Sequence, residues 1–277
     1  MLAVVIPVRN EAQGLNNVLR MALALQAAHI IPVLNGCTDM SPEIVARMPD
    51  RRLTPLHFPD PLGYDVPRIA GAQLALKRGA LGVLFLDGDL TGHLNAVLHN
   101  LTARVKAGAD LALTDCYAGT AIPFRDSAAR SVYQARLALN AALGRPDLGP
   151  AIPSHGPVAV SRRLLETVPL ASLGVPPLMQ AHACRAGLRV EVGARVPHQE
   201  LGSARRGREH GLRIAETILG DCEMGRRLAQ DERPDRGGHL GYHPERRFDL
   251  VGVTPPEEAV RAGRALAPGE PLEKWAD

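Results

Sequence analysis

Two carboxylates one residue apart stand at the most informative point of the chain. Asp87-Gly88-Asp89 directly follows the apolar run Leu81-Gly82-Val83-Leu84-Phe85-Leu86. A run of this length and character predicts a buried strand of a parallel sheet. Ligands of open α/β sheets bind beyond the carboxyl ends of such strands. Two acids there, with a glycine between them that permits a tight backbone, supply hard oxygen donors of the kind that hold Mg2+ or Mn2+ against a diphosphate. Asp-Gly also simply ends strands in a turn, so the pair gains meaning only from the elements that position it.

Those elements alternate. Residues 2–7, 30–34, 53–58, 81–86 and 110–114 read as strands, and 11–28, a short stretch from Ser41, 66–78 and 94–107 read as helices. This order predicts a mostly parallel, doubly wound α/β sheet with right-handed crossovers. Beyond residue 115 the pattern loosens. Helices are expected over 126–143, 177–186 and 208–230, strands over 158–160 and 188–192, and a Gly- and Pro-rich loop over 144–157. From residue 231 the chain is dense in Pro, Gly and charge, with one short helix candidate over 257–266. The expected organisation is a domain over 1–230 and a partly irregular C-terminal extension over 231–277.

Composition narrows the function. The chain has 277 residues, 45% hydrophobic and 22% charged, with a formal net charge of +3. That is an ordinary globular balance and not the strongly basic profile of a nucleic-acid binder. Lysine occurs only at Lys77, Lys106 and Lys274, so arginine supplies nearly all positive charge. Four dispersed cysteines form no Cys-x-x-Cys pair, which points to reduced thiols in a cytoplasm. No apolar stretch reaches the ~18 residues of a membrane span, and the start of the chain lacks the pattern of a secretory signal.

Val5-Ile6-Pro7-Val8-Arg9-Asn10-Glu11, Val33-Leu34-Asn35-Gly36-Cys37-Thr38-Asp39 and the stretch from Gly71 to Asp89 together resemble the family 2 glycosyltransferases of the GT-A fold. The later Ser154-His155-Gly156-Pro157 and a histidine at 198 are similar to the retaining glucosyl-3-phosphoglycerate and mannosylglycerate synthases. The resemblance is specific over residues 2–92, looser over 93–215 and absent beyond. It implies an enzyme, a hexosyltransferase, that moves a sugar from a UDP- or GDP-sugar with the help of Mn2+ or Mg2+.

Residue by residue, the resemblance implies that Pro7, Asn10 and Glu11 hold the nucleotide. Asn10 and Glu11 would also suit the cap and first turn of a helix, and both roles can hold together. Asn35 would read the base, at a position where most relatives carry an acid. Arg68 would touch the base or a phosphate, and on a helix it would also suit a solvated face. Asp89 is assigned to the metal, Asp87 to ribose, metal or both, and Gly88 to the donor site between them. His198 is the second expected metal ligand. Arg206 and Arg208, with Arg205, would close over the phosphates, or form a solvated basic loop.

Arg125, Arg130, His155 and Gly156 are the expected acceptor contacts, and the arginines would suit an anionic small molecule. The helix carrying Tyr133 and Arg136 should face the same side. Residues 176–187 contain no carboxylate, where inverting relatives place a general base, so the chemistry leans toward retention, with His182 the alternative base. Three other readings stand beside this one: a sugar-1-phosphate nucleotidylyltransferase, a non-catalytic nucleotide-sugar binding protein, and an inverting transferase acting on a lipid phosphate. The first lacks its Gly-rich phosphate loop here. A homodimer is left open.

Overall fold

The Val- and Ile-rich start of the chain folds as a strand, β1 (Ala3–Val8), near the middle of a seven-stranded sheet. The structure is a computed structural model that describes residues 1–118, 127–203 and 207–255. After β1 come α1 (Leu15–Ala24), β2 (His29–Asn35), α2 (Ser41–Ala46), β3 (Leu56–Phe58), α3 (Val66–Lys77), β4 (Gly82–Phe85), α4 (Asn95–Lys106) and β5 (Leu111–Asp115). The second half supplies α5 (Ser127–Ala142), β6 (Val158–Ser161), α6 (Arg162–Thr167), α7 (Pro176–Arg185), β7 (Val190–Arg195) and α8 (Arg208–Ala229).

The strand order is β3-β2-β1-β4-β6-β5-β7. All pairings are parallel except those of β6, which runs antiparallel to both β4 and β5. The expected doubly wound sheet is therefore present, with one reversed strand inserted between β4 and β5. The apolar stretch at 158–160 signals a strand, but its direction depends on where the long α5 connection returns, which no local pattern encodes.

Burial follows the two-residue period of a strand. In β1, Ala3 and Val5 face one core layer with Val83 and Phe85 of β4, whereas Val4, Ile6 and Val8 face the other with Leu84 and Leu86. Helix α3 covers the first face, and α1 and α4 the second. A third, smaller core of Val132, Leu139, Ile152, Ile218 and Cys222 joins α5 to α8. Helix α1 begins at Leu15 rather than at residue 11, because Gly14 and Leu15 first donate to the Glu11 carbonyl in a turn. No helix among the described residues is long and apolar enough to cross a membrane.

The stretch after α8 lies against the sheet domain as far as it is described. Phe248 and Val251 are buried in the same core layer as Ile69 and Leu173, and Gln73 donates to the Val251 carbonyl at 3.1 Å. The helix expected over 257–266 lies outside the described residues.

Candidate functional site

Parallel pairing of β1 with β4 brings two strand ends together, and the acid motif leaves the sheet between them. Leu86 still donates to the Val5 carbonyl at 3.0 Å, after which Asp87, Gly88 and Asp89 turn into a cleft of about 1070 Å³. Gly88 is held so close to β1 that a Cβ there would stand 2.8 Å from the Pro7 carbonyl oxygen. A Cβ on Gly14 would stand 3.1 Å from the Asp89 carbonyl carbon. The acid loop is thus wedged between the mouth of β1 and the turn before α1. Asn17 donates to the Leu90 carbonyl at 3.2 Å. Thr91 donates to the Gly202 carbonyl at 2.6 Å and Gly92 to the Leu201 carbonyl at 3.0 Å. These last two bonds fasten the segment that follows His198 to the acid loop.

Strand alternation decides where Asp87 points. It continues the face of Val83 and Phe85, which α3 covers, and there it meets Arg68. The guanidinium donates to Asp87 Oδ1 at 3.2 Å and to the Pro153 carbonyl at 3.1 Å. Its Nε lies 3.1 Å from Asp65 Oδ1, and its plane lies over the Phe85 ring at 5.6 Å. Asp65 takes a left-handed backbone, φ 64°, and burial pushes its carboxyl up to about 6 against the opposing pull of Arg68 and Arg246. Arg68 is buried at 5% exposure, so the expected solvated helix face is not its setting.

Asn35 lies at the end of β2, 4% exposed. Its Oδ1 accepts from Leu62 N at 2.5 Å and its Nδ2 donates to the Gly63 carbonyl at 3.2 Å. The amide expected to read a base is engaged with the 62–63 loop, and so shapes that wall of the cleft.

On the opposite wall α5 carries Arg136, 2% exposed. Its Nη1 donates to Tyr117 Oη at 3.0 Å and to His155 Nδ1 at 2.7 Å. His155 Nε2 lies 2.9 Å from His198 Nδ1. A guanidinium only donates, so His155 Nδ1 must accept and its proton sits on Nε2, which donates to His198 Nδ1. The same logic leaves a neutral His198 with its proton on Nε2. Burial, then Arg136, then His198 hold the His155 pKa well below the usual histidine range, and burial followed by Arg136 lowers that of His198. Gly156, φ 75°, packs where a Cβ would meet Cys116 Sγ at 2.9 Å.

The structure brings Pro7, Glu11, Asn35, Arg68, Asp87, Gly88, Asp89, His155, Gly156, His198 and Arg208 to one cleft. Asn10 does not line it. Asn10 is exposed, with φ 58°, and its Oδ1 accepts from Thr38 N at 2.8 Å. It caps no helix either, since α1 starts five residues later, with Gly14 at its N-cap. Arg130 is exposed on α5 and does not line the cleft, and His182 on α7 does not either. Arg125, Arg205 and Arg206 lie outside the described residues. Sequence reasoning missed Tyr64, Asp65, Tyr117, Arg213, Tyr242 and Glu245, all of which line the cleft. Tyr64 and Tyr242 stack with ring centroids 5.9 Å apart, and Arg213 covers the Tyr242 ring at 3.9 Å.

Among the described residues, no three of His, Cys, Asp and Glu stand grouped as a metal cage. The expected set of Asp87, Asp89 and His198 is therefore not preassembled among the described residues, and His198 Nδ1 faces His155 instead. The two carboxylates still fit a hard cation shared with a diphosphate. Mg2+ is commonly held by one or two carboxylates, with substrate phosphates and water completing the shell.

Residues 3–168 match the family model described as Glycosyl transferase family 2. No curated protein matches the chain. Among solved structures, glucosyl-3-phosphoglycerate synthase from Mycobacterium tuberculosis with Mn2+, UDP and phosphoglyceric acid is 20% identical, with a TM-score of 0.57 over 80% of this chain and 78% of that one. The same enzyme with phosphoglyceric acid is 19% identical, with a TM-score of 0.58 over 80% of each chain. With Mg2+ and UDP it is 18% identical, with a TM-score of 0.54 over 80% of this chain and 79% of that one. At these identities the likeness carries the fold, which is the GT-A architecture.

Proposed function

The chain belongs to glycosyl transferase family 2, and on that premise we propose that it transfers a sugar from a UDP- or GDP-sugar to a small anionic acceptor, with a divalent cation and with retention of the anomeric configuration. The observation that carries this reading is the placement of Asp87 and Asp89 in the cleft at the end of β4, with buried Arg68 holding Asp87. Asp89 and Asp87 would hold Mn2+ or Mg2+, and Pro7, Glu11, Gly88 and the 62–65 loop would cradle the nucleotide. When bound, the cation neutralises charge on the diphosphate leaving group. His198 would join the metal by releasing His155, or serve as an Nε2–H donor to the phosphates. Arg208, and Arg206 from outside the described residues, are the further phosphate contacts.

Retention is supported by the state of the acids. Asp65 and Asp87 are paired with arginines, and so is Glu245 with Arg213. Helix α7 offers no carboxylate, and its His182 does not line the cleft. The departing phosphate oxygen then takes the acceptor proton as the acceptor oxygen attacks the same face of the sugar. Arg136, beside His155 and Gly156, replaces Arg130 as the cation suited to an anionic acceptor. The similar synthases hold phosphoglyceric acid, which supports that acceptor class. The four cysteines are free thiols, in keeping with a cytoplasmic setting.

The test is incubation with labelled UDP- and GDP-sugars and phosphorylated hydroxy acids, with Mn2+ or EDTA, followed by proton NMR of the first product. Transfer without metal, or an inverted anomer, refutes the corresponding part. One observation favours a second acceptor class: Val132 on α5 and Leu212, Ile214 and Ile218 on α8 give part of the cleft an apolar lining. Transfer to a polyprenyl phosphate, and to no small hydroxy acid, would establish that reading instead.

A further inference from the structure

A series of alternating charges runs from the acid motif to the stretch after α8. Asp87 accepts from Arg68 at 3.2 Å, and Arg68 Nε lies 3.1 Å from Asp65 Oδ1. The other Asp65 oxygen lies 3.5 Å from Arg246 Nη2. Arg246 in turn donates to both oxygens of Asp221, at 2.8 and 2.7 Å, and Arg236 donates to the same carboxylate. Asp87, Asp65 and Asp221 therefore alternate with Arg68, Arg246 and Arg236, and the ionised series is neutral as a whole.

These charges are deep. The side chains of Arg246 and Asp221 are 0% and 1% exposed. Charges at that depth persist only when paired, because desolvating each costs several kcal/mol. Phe248 and Val251 also seat the segment in an apolar core. What the charges add is direction: Arg246 reaches past the core to the loop that carries Asp65.

The backbone makes the same connection. Gly63 is packed so tightly that a Cβ would stand 2.2 Å from the Glu245 carbonyl oxygen. Arg247 N donates to the Leu62 carbonyl at 2.8 Å, and Arg246 Nε to the Tyr64 carbonyl at 3.1 Å. The 62–65 loop is thus gripped by Asn35 on one side and by Arg246 and Arg247 on the other. Asp65 keeps a left-handed φ that costs a non-glycine residue about 1 kcal/mol, which persists where surrounding structure enforces it.

We propose that Arg246 is a positioning residue of the donor site: anchored by Asp221, it fixes Asp65 and, through Arg68, sets the orientation of Asp87. The proposal rests on the donor-site reading above and deepens it. It makes the stretch after α8, expected from sequence to be an appendage, a working part of that site.

The experiment compares the full chain with Arg246→Met, Arg246→Lys, Asp65→Asn and the Arg246→Met/Asp65→Asn double variant. Three quantities are read: affinity for UDP or GDP at saturating Mn2+ by calorimetry, amide exchange over residues 86–90, and the thermal midpoint. Arg246→Met should weaken nucleotide binding by about tenfold and speed exchange at 86–90, and Arg246→Lys should recover part of both. The double variant should bind no more weakly than Arg246→Met alone, because both changes act through one series. A lowered thermal midpoint with wild-type nucleotide affinity and wild-type exchange at 86–90 overturns the proposal. If Arg246→Met does not fold, wild-type values of both readouts in Arg246→Lys and Asp65→Asn overturn it, and changed values support it. If the unaltered protein binds neither nucleotide with Mn2+, the donor-site reading fails. The exchange measurement needs no nucleotide, and then decides the positioning role alone.

Discussion

Gly88→Ala is the most direct probe of how the acid loop is held. Gly88 is not among the residues with positive φ, so alanine meets no backbone strain there and the effect is one of space. The new Cβ would stand 2.8 Å from the Pro7 carbonyl oxygen and 3.2 Å from Glu11 Cγ. Ordinary carbon–oxygen contacts begin near ~3.3 Å, so something must move by roughly half an ångström. Pro7 cannot easily yield, because it is paired with Val33 of β2 and β4 holds β1 as far as Val5, two residues before it. The acid loop must give instead, at a cost of about 1–3 kcal/mol for overpacking. Displacement on that scale is expected to lower kcat/KM by roughly 10–100-fold, given that a shift of ~1 Å can cost 10²-fold. Urea unfolding supplies the stability and initial rates supply kcat/KM. Gly79→Ala is the control: its Cβ would meet nothing within 4 Å, and φ is 74°. It should lose about 1–2 kcal/mol through strain and keep its catalytic constants, since it lies before β4, at the strand end away from the acids. Wild-type kcat/KM in Gly88→Ala would refute the reasoning, and a stability loss without a catalytic one would show that β1 moves.

Asp89→Ala should abolish Mn2+-dependent nucleotide binding with the thermal midpoint kept, because the residue lies on a loop; a lost transition would make the acid structural. Arg136→Met should leave the His155 Nδ1 acceptor without its donor, costing about 1–3 kcal/mol, and shift the His155 and His198 nitrogen resonances together; an unchanged His198 signal would break the inferred relay. His182 has its pKa lowered to about 4, by burial and then by Arg185. A histidine that stays neutral when folded but ionises near ~6.5 when unfolded contributes stability above that pH and loses it as pH falls toward the folded value. Between about pH 7 and pH 5 the loss should be about 2 kcal/mol, and His182→Gln should remove that part of the slope in urea unfolding; parallel slopes would refute the assignment.

The alternation of apolar runs and helical periods in the first 115 residues made most of the sheet legible, because each strand there is a local pattern of burial. The acid motif was legible for the same reason: a buried strand must end, and Asp-Gly-Asp marks where. The reversed direction of β6 was not legible, since four residues of strand carry no signal of orientation. Asn10 misled because a polar pair at a strand end suits a cap, a nucleotide contact or a turn equally. The left-handed turn at Asn10, which delays α1 to Leu15, sends its side chain to Thr38 instead.

The partners of Asp87 were hidden for a different reason. Arg68 lies 19 residues away along the chain, and only the two-residue period of β4, carried one step past the strand, places Asp87 on the α3 side. The series beyond Arg68 leaves a single trace. On α8 the buried positions include Ile218, Asp221, Cys222 and Gly225, spaced as one face of a helix. A carboxylate on that face must find a cation or be expelled from the core. The sequence holds its cations at Arg236 and Arg246, in a stretch whose density of Pro, Gly and charge reads as an appendage. An acid on the apolar face of a helix therefore says that arginines elsewhere in the chain are spent in the interior. The arginine count alone cannot say which, and here the one that matters for Asp87 lies 159 residues past it, in a segment whose described residues form no strand or α-helix.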